Sequence, residues 1–529
     1  MKKLYLFLFI FLIFLIGCEP NNEESENENQ DKEEIKEVVI IKFDSNGGSL
    51  CGEYELYKGE IFNDHITDPV KEGYRFMGWS KDQISLFDFS QPINEDLTLY
   101  AIWDELYKNY AYLFDEYVPD IITSSIELPS HHDELFLTWS TSNQQVLDNY
   151  GILSRPRVDT TLTVYLEVYD EGYVTNYEKD VIVPKILFND LTKGNAVFGY
   201  YSTWNFFGYS EEALTTLDVV NLSFAYVNKD FGLDTSSIDK LLTKVKEVHN
   251  HGIRVVLSVQ GYGSEGKNFS DAASTDSGRK KLAKSMANYV VENNLDGIDI
   301  DWEYPGYQTG RSTAVDKENY TLLIKEIRTE LKKRNSDYLI TAAIPGGPWG
   351  PTRFDLTALN NYLDYFHIMT YDLNASGSCV HHTALYASSG TVSNCTVDES
   401  VKYYLNQGVS ASKIIVGLAF YGKYTSGTSL GGSGSSYSSI IYTKIYNDYL
   451  SNPNANYKVF FDEVAKAPYI IDYDKNIFIT YDDERSIGYK FDYVYQKKLG
   501  GVMIWEVGED KTSHLMGQIK ISKFKENKA

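Results

Sequence analysis

The stretch Leu295-Asp296-Gly297-Ile298-Asp299-Ile300-Asp301-Trp302-Glu303-Tyr304-Pro305 decides how the rest of the chain is read. Its centre alternates carboxylate and apolar side chains. On an extended strand successive side chains point to opposite faces, so Asp299, Asp301 and Glu303 share one side and Ile298, Ile300 and Trp302 the other. Outward from this stretch, β-branched or aromatic runs recur at Val197–Tyr201, Val219–Tyr226, Arg254–Val259, Gly297–Trp302, Leu339–Ile344, Tyr365–Thr370, Ile414–Ala419 and Gly501–Trp505. Helical patterns such as Ser237–Asn250, Ser277–Asn293 and Asp316–Arg334 lie between them. Eight strands alternating with helices predict an α/β fold, a (β/α)8 TIM barrel over residues 192–523. The gap from Tyr421 to Leu499 exceeds what a loop and one helix need, and it holds strand-like runs at Lys458–Phe461 and Asn476–Tyr481. An α+β insertion between strands 7 and 8, at about 424–490, is therefore expected.

In such a barrel Ile298, Ile300 and Trp302 face the helices. The carboxylates then line the interior towards the C-terminal end, where barrel enzymes keep their active sites. Like charges that close raise the pKa of at least one of them, which suits a general acid near neutral pH. Clustered carboxylates also bind Mg²⁺ or Ca²⁺, and a hydrogen-bonded strand end is a third reading. Residue chemistry by itself leaves the three open.

The spacing Asp296-x-x-Asp299-x-Asp301-x-Glu303 resembles the signature of family 18 glycoside hydrolases, the chitinases and their relatives. Further stations follow in the same order from Ala196 to about Met516: Gly199-Tyr200-Tyr201 with Trp204, Asn221-Leu222-Ser223-Phe224-Ala225-Tyr226, Met369-Thr370-Tyr371-Asp372, Gly417–Gly422, Tyr481-Asp482-Asp483 with Ser486, Ile487 and Lys490, and Gly501-Val502-Met503-Ile504-Trp505-Glu506. The resemblance implies a retaining hydrolase of β-1,4 N-acetylglucosamine linkages in which the substrate's own acetamide attacks the anomeric carbon. It gives Glu303 the acid/base role, Asp301 the orientation of the acetamide, Asp299 a share of that proton and charge, and Tyr371 a hydrogen bond to the acetamide carbonyl. It places Tyr200, Phe224, Gly261, Tyr262, Tyr304, Met369, Asp372, Tyr421 and Trp505 around the substrate, with Trp505 as an apolar floor. Asp296 and Ser258 support the motif. It implies no cofactor and no metal. Two departures stand out: the third strand usually ends Ser-x-Gly-Gly but here reads Ser258-Val259-Gln260-Gly261-Tyr262, and Lys423 follows Tyr421-Gly422 where Arg is common. An endo-β-N-acetylglucosaminidase acting on N-glycans shares the signature, although the long insertion and Trp505 favour a linear-chain groove. A surface lectin or adhesin on the same scaffold is the other alternative; non-catalytic members of the family typically lose the acid, whereas Glu303 is present.

The front of the chain has a different texture. Lys2 and Lys3 precede an apolar run from Leu4 to Ile16, too short to span a bilayer, and Leu15-Ile16-Gly17-Cys18 resembles the lipobox of bacterial lipoproteins. That resemblance implies a signal over residues 1–18, lipid on Cys18 and a membrane-anchored protein at the cell surface. Residues 19–37 carry nine carboxylates and two lysines, a composition that reads as an extended tether. Residues 38–104, with Gly73-Tyr74-Arg75-Phe76-Met77-Gly78-Trp79 and Leu99-Tyr100-Ala101-Ile102-Trp103, resemble an internalin-type B repeat. Residues 105–187, with alternating runs at Leu135–Trp139 and Thr161–Val168, resemble a bacterial Ig-like β-sandwich. Two small all-β modules are thus expected ahead of the barrel.

Composition is ordinary for a globular chain, with 43% hydrophobic and 23% charged residues, and excludes other classes. The net charge of -25 over 529 residues repels phosphate backbones, so nucleic acid is not expected as a partner; chitin or chito-oligosaccharide substrate and the membrane are, with the protein a monomer. Four cysteines cannot make a disulfide scaffold, although Cys379 and Cys395 flank the loop after the sixth run, compatible with one bridge; Cys51 has no evident partner. His131-His132 reads as a solvated loop pair. His381-His382 reads either as a pair touching substrate at the mouth or as a hydrogen-bonded loop pair.

Overall fold

The computed structural model describes residues 36–104, 109–170, 172–262, 264–451 and 456–525. The apolar leader, Cys18 and nearly all of the acidic tether fall outside them. Among the described residues no helix is long and apolar enough to cross a membrane. The chain divides into two compact units, one ending at Tyr112 and the other beginning at Leu113.

The first unit is a four-stranded sheet ordered Glu53–Tyr57, Val38–Asp44, Leu97–Asp104, Arg75–Ser80. Val38–Asp44 buries alternate residues, Val39, Ile41 and Phe43, and pairs in parallel with Leu97–Asp104. Phe43 meets Trp79 edge-on at 4.8 Å between ring centres, in a small aromatic core shared with Phe62 and Leu99.

In the second unit the eight runs form a closed parallel barrel. Its strands are β1 (Ala196–Ser202), β2 (Val219–Val227), β3 (Arg254–Tyr262), β4 (Gly297–Glu303), β5 (Leu339–Pro345), β6 (Tyr365–Met369), β7 (Ile414–Ala419) and β8 (Gly501–Trp505). β8 pairs with β1 and β1 with β2, which closes the ring. Two apolar layers result. Outside the ring, Ile298, Ile300 and Trp302 join the core beneath the helices, with Trp302 stacked on Phe269 at 5.5 Å. Inside it, Phe198, Val219, Val256, Tyr365, Ile415 and Met503 fill the base of the bore. The helices run Asp276–Glu292 and Thr313–Lys332 where patterning predicts them. The segment predicted as one helix at Ser237–Asn250 is two, Asp239–Leu242 and Val245–Asn250. Between them the Thr243 hydroxyl donates to the Lys240 carbonyl at 2.7 Å, competing with the helical ladder.

The insertion is an antiparallel sheet ordered Ser438–Ile441, Tyr421–Ser426, Ile477–Thr480, Ala467–Asp472, Tyr457–Asp462. It opens at Tyr421, directly after β7, and is followed by the helix Glu484–Lys497. A fully buried Lys490–Asp482 pair at 2.7 Å, with Ser486 and Thr383 hydroxyls alongside, fixes the insertion to the barrel. The two buried charges satisfy one another, and the two hydroxyls add hydrogen bonds, as such a pair requires.

The segment expected as a β-sandwich carries one four-stranded antiparallel sheet among the described residues, ordered His131–His132, Leu135–Thr141, Thr160–Asp170, Tyr173–Val183. The helix Tyr112–Tyr117 and the loop residues Val146, Leu147 and Leu153 supply buried side chains in place of a second sheet. His132 is not a solvated loop residue: it is half-buried and its Nδ1 lies 2.7 Å from the Tyr117 hydroxyl. This module docks on the N-terminal end of the barrel through Arg157. Its guanidinium donates to Asp296 Oδ1 at 2.7 Å, to Asn294 Oδ1 and to the carbonyls of Asn294 and Leu295, all at 3.0 Å. Asp296 is 2% exposed, and its other oxygen meets His249 Nε2 and accepts from the Val255 amide, both at 2.7 Å.

Removing Arg157 strips a buried carboxylate of a charge partner. Arg157→Ala is expected to lower the melting temperature by several degrees, about 2 kcal/mol or more, and Arg157→Lys to recover part of it. Calorimetry of the two variants checks this; unchanged melting of Arg157→Ala would show that the module docks independently of the clamp.

Candidate active site

The pleat of β4 sets the site. Asp299 points into the bore, fully buried, and collects hydroxyl groups from three neighbouring strands. Ser258 on β3 donates to its Oδ2 at 2.7 Å, Thr341 on β5 to its Oδ1 at 2.6 Å, and Tyr200 on β1 to its Oδ2 at 2.9 Å. The Tyr200 oxygen also lies 2.8 Å from Nδ1 of His367 on β6. Burial holds that imidazole down at about 4, so it is neutral at physiological pH. With Tyr200 donating to Asp299, the neutral ring carries its proton on Nδ1 and completes the chain.

Two residues further along, Asp301 reaches the floor of a cavity of about 290 Å³ at the C-terminal end of the barrel. That volume stands at the lower end of small-ligand sites. Burial, then the neighbouring Glu303 and Asp299 carboxylates, pushes Asp301 well above the usual carboxylate range. Glu303, the next residue on the same face, is also raised, by burial first; a hydrogen bond with Tyr304 works against the shift and the Asp372 charge adds to it. Both acids therefore hold protons at a pH where exposed carboxyls have lost them.

The rest of the lining brings together Tyr200, Phe224, Gln260, Tyr304, Ala343, Pro345, Gly346, Met369, Tyr371, Asp372, Leu373, Tyr421 and Trp505. Trp505 forms an aromatic wall, stacked on Phe224 at 5.4 Å and edge-on to Tyr200 at 5.8 Å. Tyr371 fits because β7 has no side chain at Gly417: a Cβ there would lie 2.8 Å from the Tyr371 ring and 2.7 Å from the Ile368 carbonyl oxygen. Asp372 adopts a left-handed backbone (φ +56°). Burial works against its charge, but His382, Lys423 and Tyr421 together hold it down at about 2. Tyr421 donates to its Oδ1 at 2.6 Å and Lys423 Nζ lies 3.1 Å from the same oxygen. His382 stands 3.8 Å away, an electrostatic rather than a hydrogen-bonding distance.

Most of the residues singled out from sequence converge on this cavity, but two substrate positions do not line it. Gly261 is buried against the Phe269 ring, which a Cβ would approach to 2.4 Å, so its smallness serves helix packing. Tyr262 is 58% exposed at the end of β3. Asp296 lies at the opposite end of β4, in the Arg157 clamp. The His381-His382 pair is buried beneath the insertion, with His381 Nε2 3.4 Å from Asp462. Cys379 and Cys395 are both buried free thiols rather than a bridge; the Cys379 Sγ instead lies near the carbonyls of Ser426 and Ser433. Sequence reading missed Thr341 and His367. Each is the polar inward member of an otherwise apolar strand, which is the signal that finds them. Among the described residues no group of three or more His, Cys, Asp or Glu side chains is arranged to hold a metal ion.

Comparison with known proteins bears on the same segment. The family model described as Glycosyl hydrolases family 18 matches residues 196–510, and that of the Listeria-Bacteroides repeat domain matches residues 40–102. Chitinase A1 of Niallia circulans is 30% identical over 308 residues, 53% of this chain and 44% of that protein. Endochitinase 1 of Metarhizium robertsii is 33% identical over 296 residues, 53% of this chain and 67% of its own. The chain thus spans under half the length of the first relative and two thirds of the second. Among solved structures, a glycoside hydrolase family 18 N-acetylglucosaminidase from Paenibacillus barengoltzii superimposes with a TM-score of 0.56 at 33% identity, over 62% of this chain and 99% of that one.

A buried carboxyl whose folded pKa lies above its unfolded value binds more protons when folded. The stability it contributes is present below the unfolded value and is lost as pH rises through the folded one. Asp301→Asn removes that loss. Its melting temperature is expected to match wild type near pH 4 and to exceed it by about 2–4 °C at pH 8, measured by calorimetry across pH; a difference that does not grow with pH would contradict the raised Asp301.

Proposed function

The chain belongs to family 18 of the glycosyl hydrolases, and from that premise we propose that it is a retaining chitinase hydrolysing β-1,4 N-acetylglucosamine linkages with the help of the substrate's own acetamide. One observation carries the reading: two carboxyls with raised pKa values, the buried Asp301 and the half-buried Glu303, open into the same cavity as Tyr371 and Trp505. Glu303 gives its proton to the glycosidic oxygen as the bond from that oxygen to the anomeric carbon breaks. The acetamide oxygen attacks that carbon from the opposite face, which makes a cyclic oxazolinium ion and no covalent bond to the enzyme. Asp301 accepts a hydrogen bond from the acetamide N–H and, as its own proton moves to Asp299, its charge steadies the oxazolinium ion, while Tyr371 orients the acetamide carbonyl. Glu303, now ionised, removes a proton from water, which opens the ring with the original configuration restored. Holding the acetamide in line supplies several kcal/mol of the barrier reduction, as intramolecular attack does elsewhere. Trp505 carries the apolar face of the sugar.

Around this catalytic unit the leader ending Gly17-Cys18 supports lipid attachment and display at a bacterial surface. The acidic stretch 19–37 supports a tether. The segment 38–104 acts as an internalin-type spacer or adhesive repeat, and the sheet module of 109–187 is a reduced Ig-like domain. The active unit is a monomer.

A second reading, release of single N-acetylglucosamine units from chain ends, is favoured by the small cavity and by the N-acetylglucosaminidase relative. Product analysis on chitotetraose separates the two, since a chitinase yields mainly disaccharide and an exo-acting enzyme the monosaccharide.

Fluorophore release from chitobiose and chitotriose glycosides tests the proposal. Turnover is expected to survive EDTA and to fall about 10²–10⁴-fold in Glu303→Gln. No release from any N-acetylglucosamine oligomer by folded wild type would sink it and move attention to N-glycan cores and then to a lectin. Because Glu303 must be protonated to act as acid, kcat is expected to fall as pH rises through its elevated pKa, later than an ordinary glutamic acid allows.

A further inference from the structure

The barrel register gives each inward carboxylate of β4 a partner on β3: Ser258 stands beside Asp299 and Gln260 beside Asp301. The first rung is a hydroxyl donating to a carboxylate. The second places an amide against the acid at the cavity floor, with Gln260 Nε2 3.3 Å from Asp301 Oδ2. Gln260 also lines the cavity. It occupies a position where the family pattern has glycine, which has no side chain to offer there.

We propose that Gln260 is a positioning residue for Asp301, an amide that follows this acid through both of its protonation states and so sets the pH range over which the Asp301–Glu303 pair works. The inference rests on the catalytic reading given above. An amide carries a donor and an acceptor on one planar group. With Asp301 ionised, Nε2 donates to Oδ2 in a charge-assisted hydrogen bond; with Asp301 protonated, a half-turn of the amide presents Oε1 to the acid's O–H in a weaker neutral one, so on balance the amide favours the ionised form. The proton stays on the Asp301 carboxyl in one case and is absent in the other, and Gln260 changes neither charge nor composition. The partner matters because the other Asp301 oxygen, Oδ1, is buried without a hydrogen-bond partner among the described residues. The groups that face Asp301 are Asp299 and Glu303 on its own strand, Tyr200 from β1, Tyr304 after β4, Tyr320 from the helix Thr313–Lys332 and Tyr371 after β6. All of these are acids, so when Asp301 ionises the surrounding carboxylates repel it. The Gln260 amide hydrogen is aimed at the charged form from β3 and opposes that rise.

Gln260→Met keeps the length of the side chain and removes the amide; Gln260→Gly restores the family residue. The Asp301 carboxyl is followed by ¹³C NMR titration of aspartate-labelled protein, its signal assigned by its loss in Asp301→Asn. kcat and KM for the chitobiose glycoside are measured across the same pH range. Both variants are expected to titrate at Asp301 about one pH unit higher than wild type. The pH profile of kcat should move in the same direction and kcat at its wild-type optimum fall about tenfold, with KM changing less than threefold. A role confined to packing would alter melting and leave both titration and profile in place, and titration curves superimposable on wild type in both variants overturn the inference. A shifted titration in a protein that turns over no N-acetylglucosamine glycoside supports the Gln260–Asp301 coupling while defeating the chitinase reading, so the two can fail separately.

Discussion

Two carboxyls one pleat apart, sealed inside a barrel, cannot both be charged without help, and the site is organised around where that help is given. Asp299 receives three hydroxyl donors from β1, β3 and β5. Asp301 receives one amide contact and, among the described residues, keeps an unpartnered oxygen. The same strand thus holds one carboxyl ringed by hydroxyl donors and one, Asp301, that burial and its carboxylate neighbours push well above the usual carboxylate range. Thr341 and His367 read as ordinary core residues until Asp299 is placed beside them.

The ends of β4 carry different burdens. At the N-terminal end Asp296 is held by Arg157, His249 and a backbone amide, contacts that join two modules and stabilise the strand. At the C-terminal end Glu303 is half-buried in the wall of the cavity. This division, with stability below and chemistry above, is general to barrels of this kind. Here it makes the sheet module before the barrel part of the support of the catalytic strand. The Lys490–Asp482 pair does similar work for the insertion, seating it beside the mouth, where Tyr421 and Lys423 reach Asp372.

Sequence alone determined the alternation of Asp299, Asp301 and Glu303 against Ile298, Ile300 and Trp302, because a strand's period of two is a local property. It determined the eight strands, the inserted region and most of the cavity lining for the same reason, aided by the order of the family's motifs. What it left undecided depends on register and closure. Which β3 residue stands beside which β4 carboxylate follows from strand pairing, so Gln260 read as a mere departure and became a partner of Asp301 only through the sheet. Gly261, assigned to substrate, proved to serve the Phe269 contact across to a helix. Thr341 and His367 gained a purpose when ring closure brought β5 and β6 to Asp299. Cys379 and Cys395, near in sequence, stay apart because Cys379 turns to the backbone carbonyls of Ser426 and Ser433. Arg157 lies far from Asp296 along the chain, and only the docking of one module on the other made them an ion pair. Periodicity is written in neighbours along the chain; the protonation of a buried acid is set by neighbours in space, and those the tertiary structure decided.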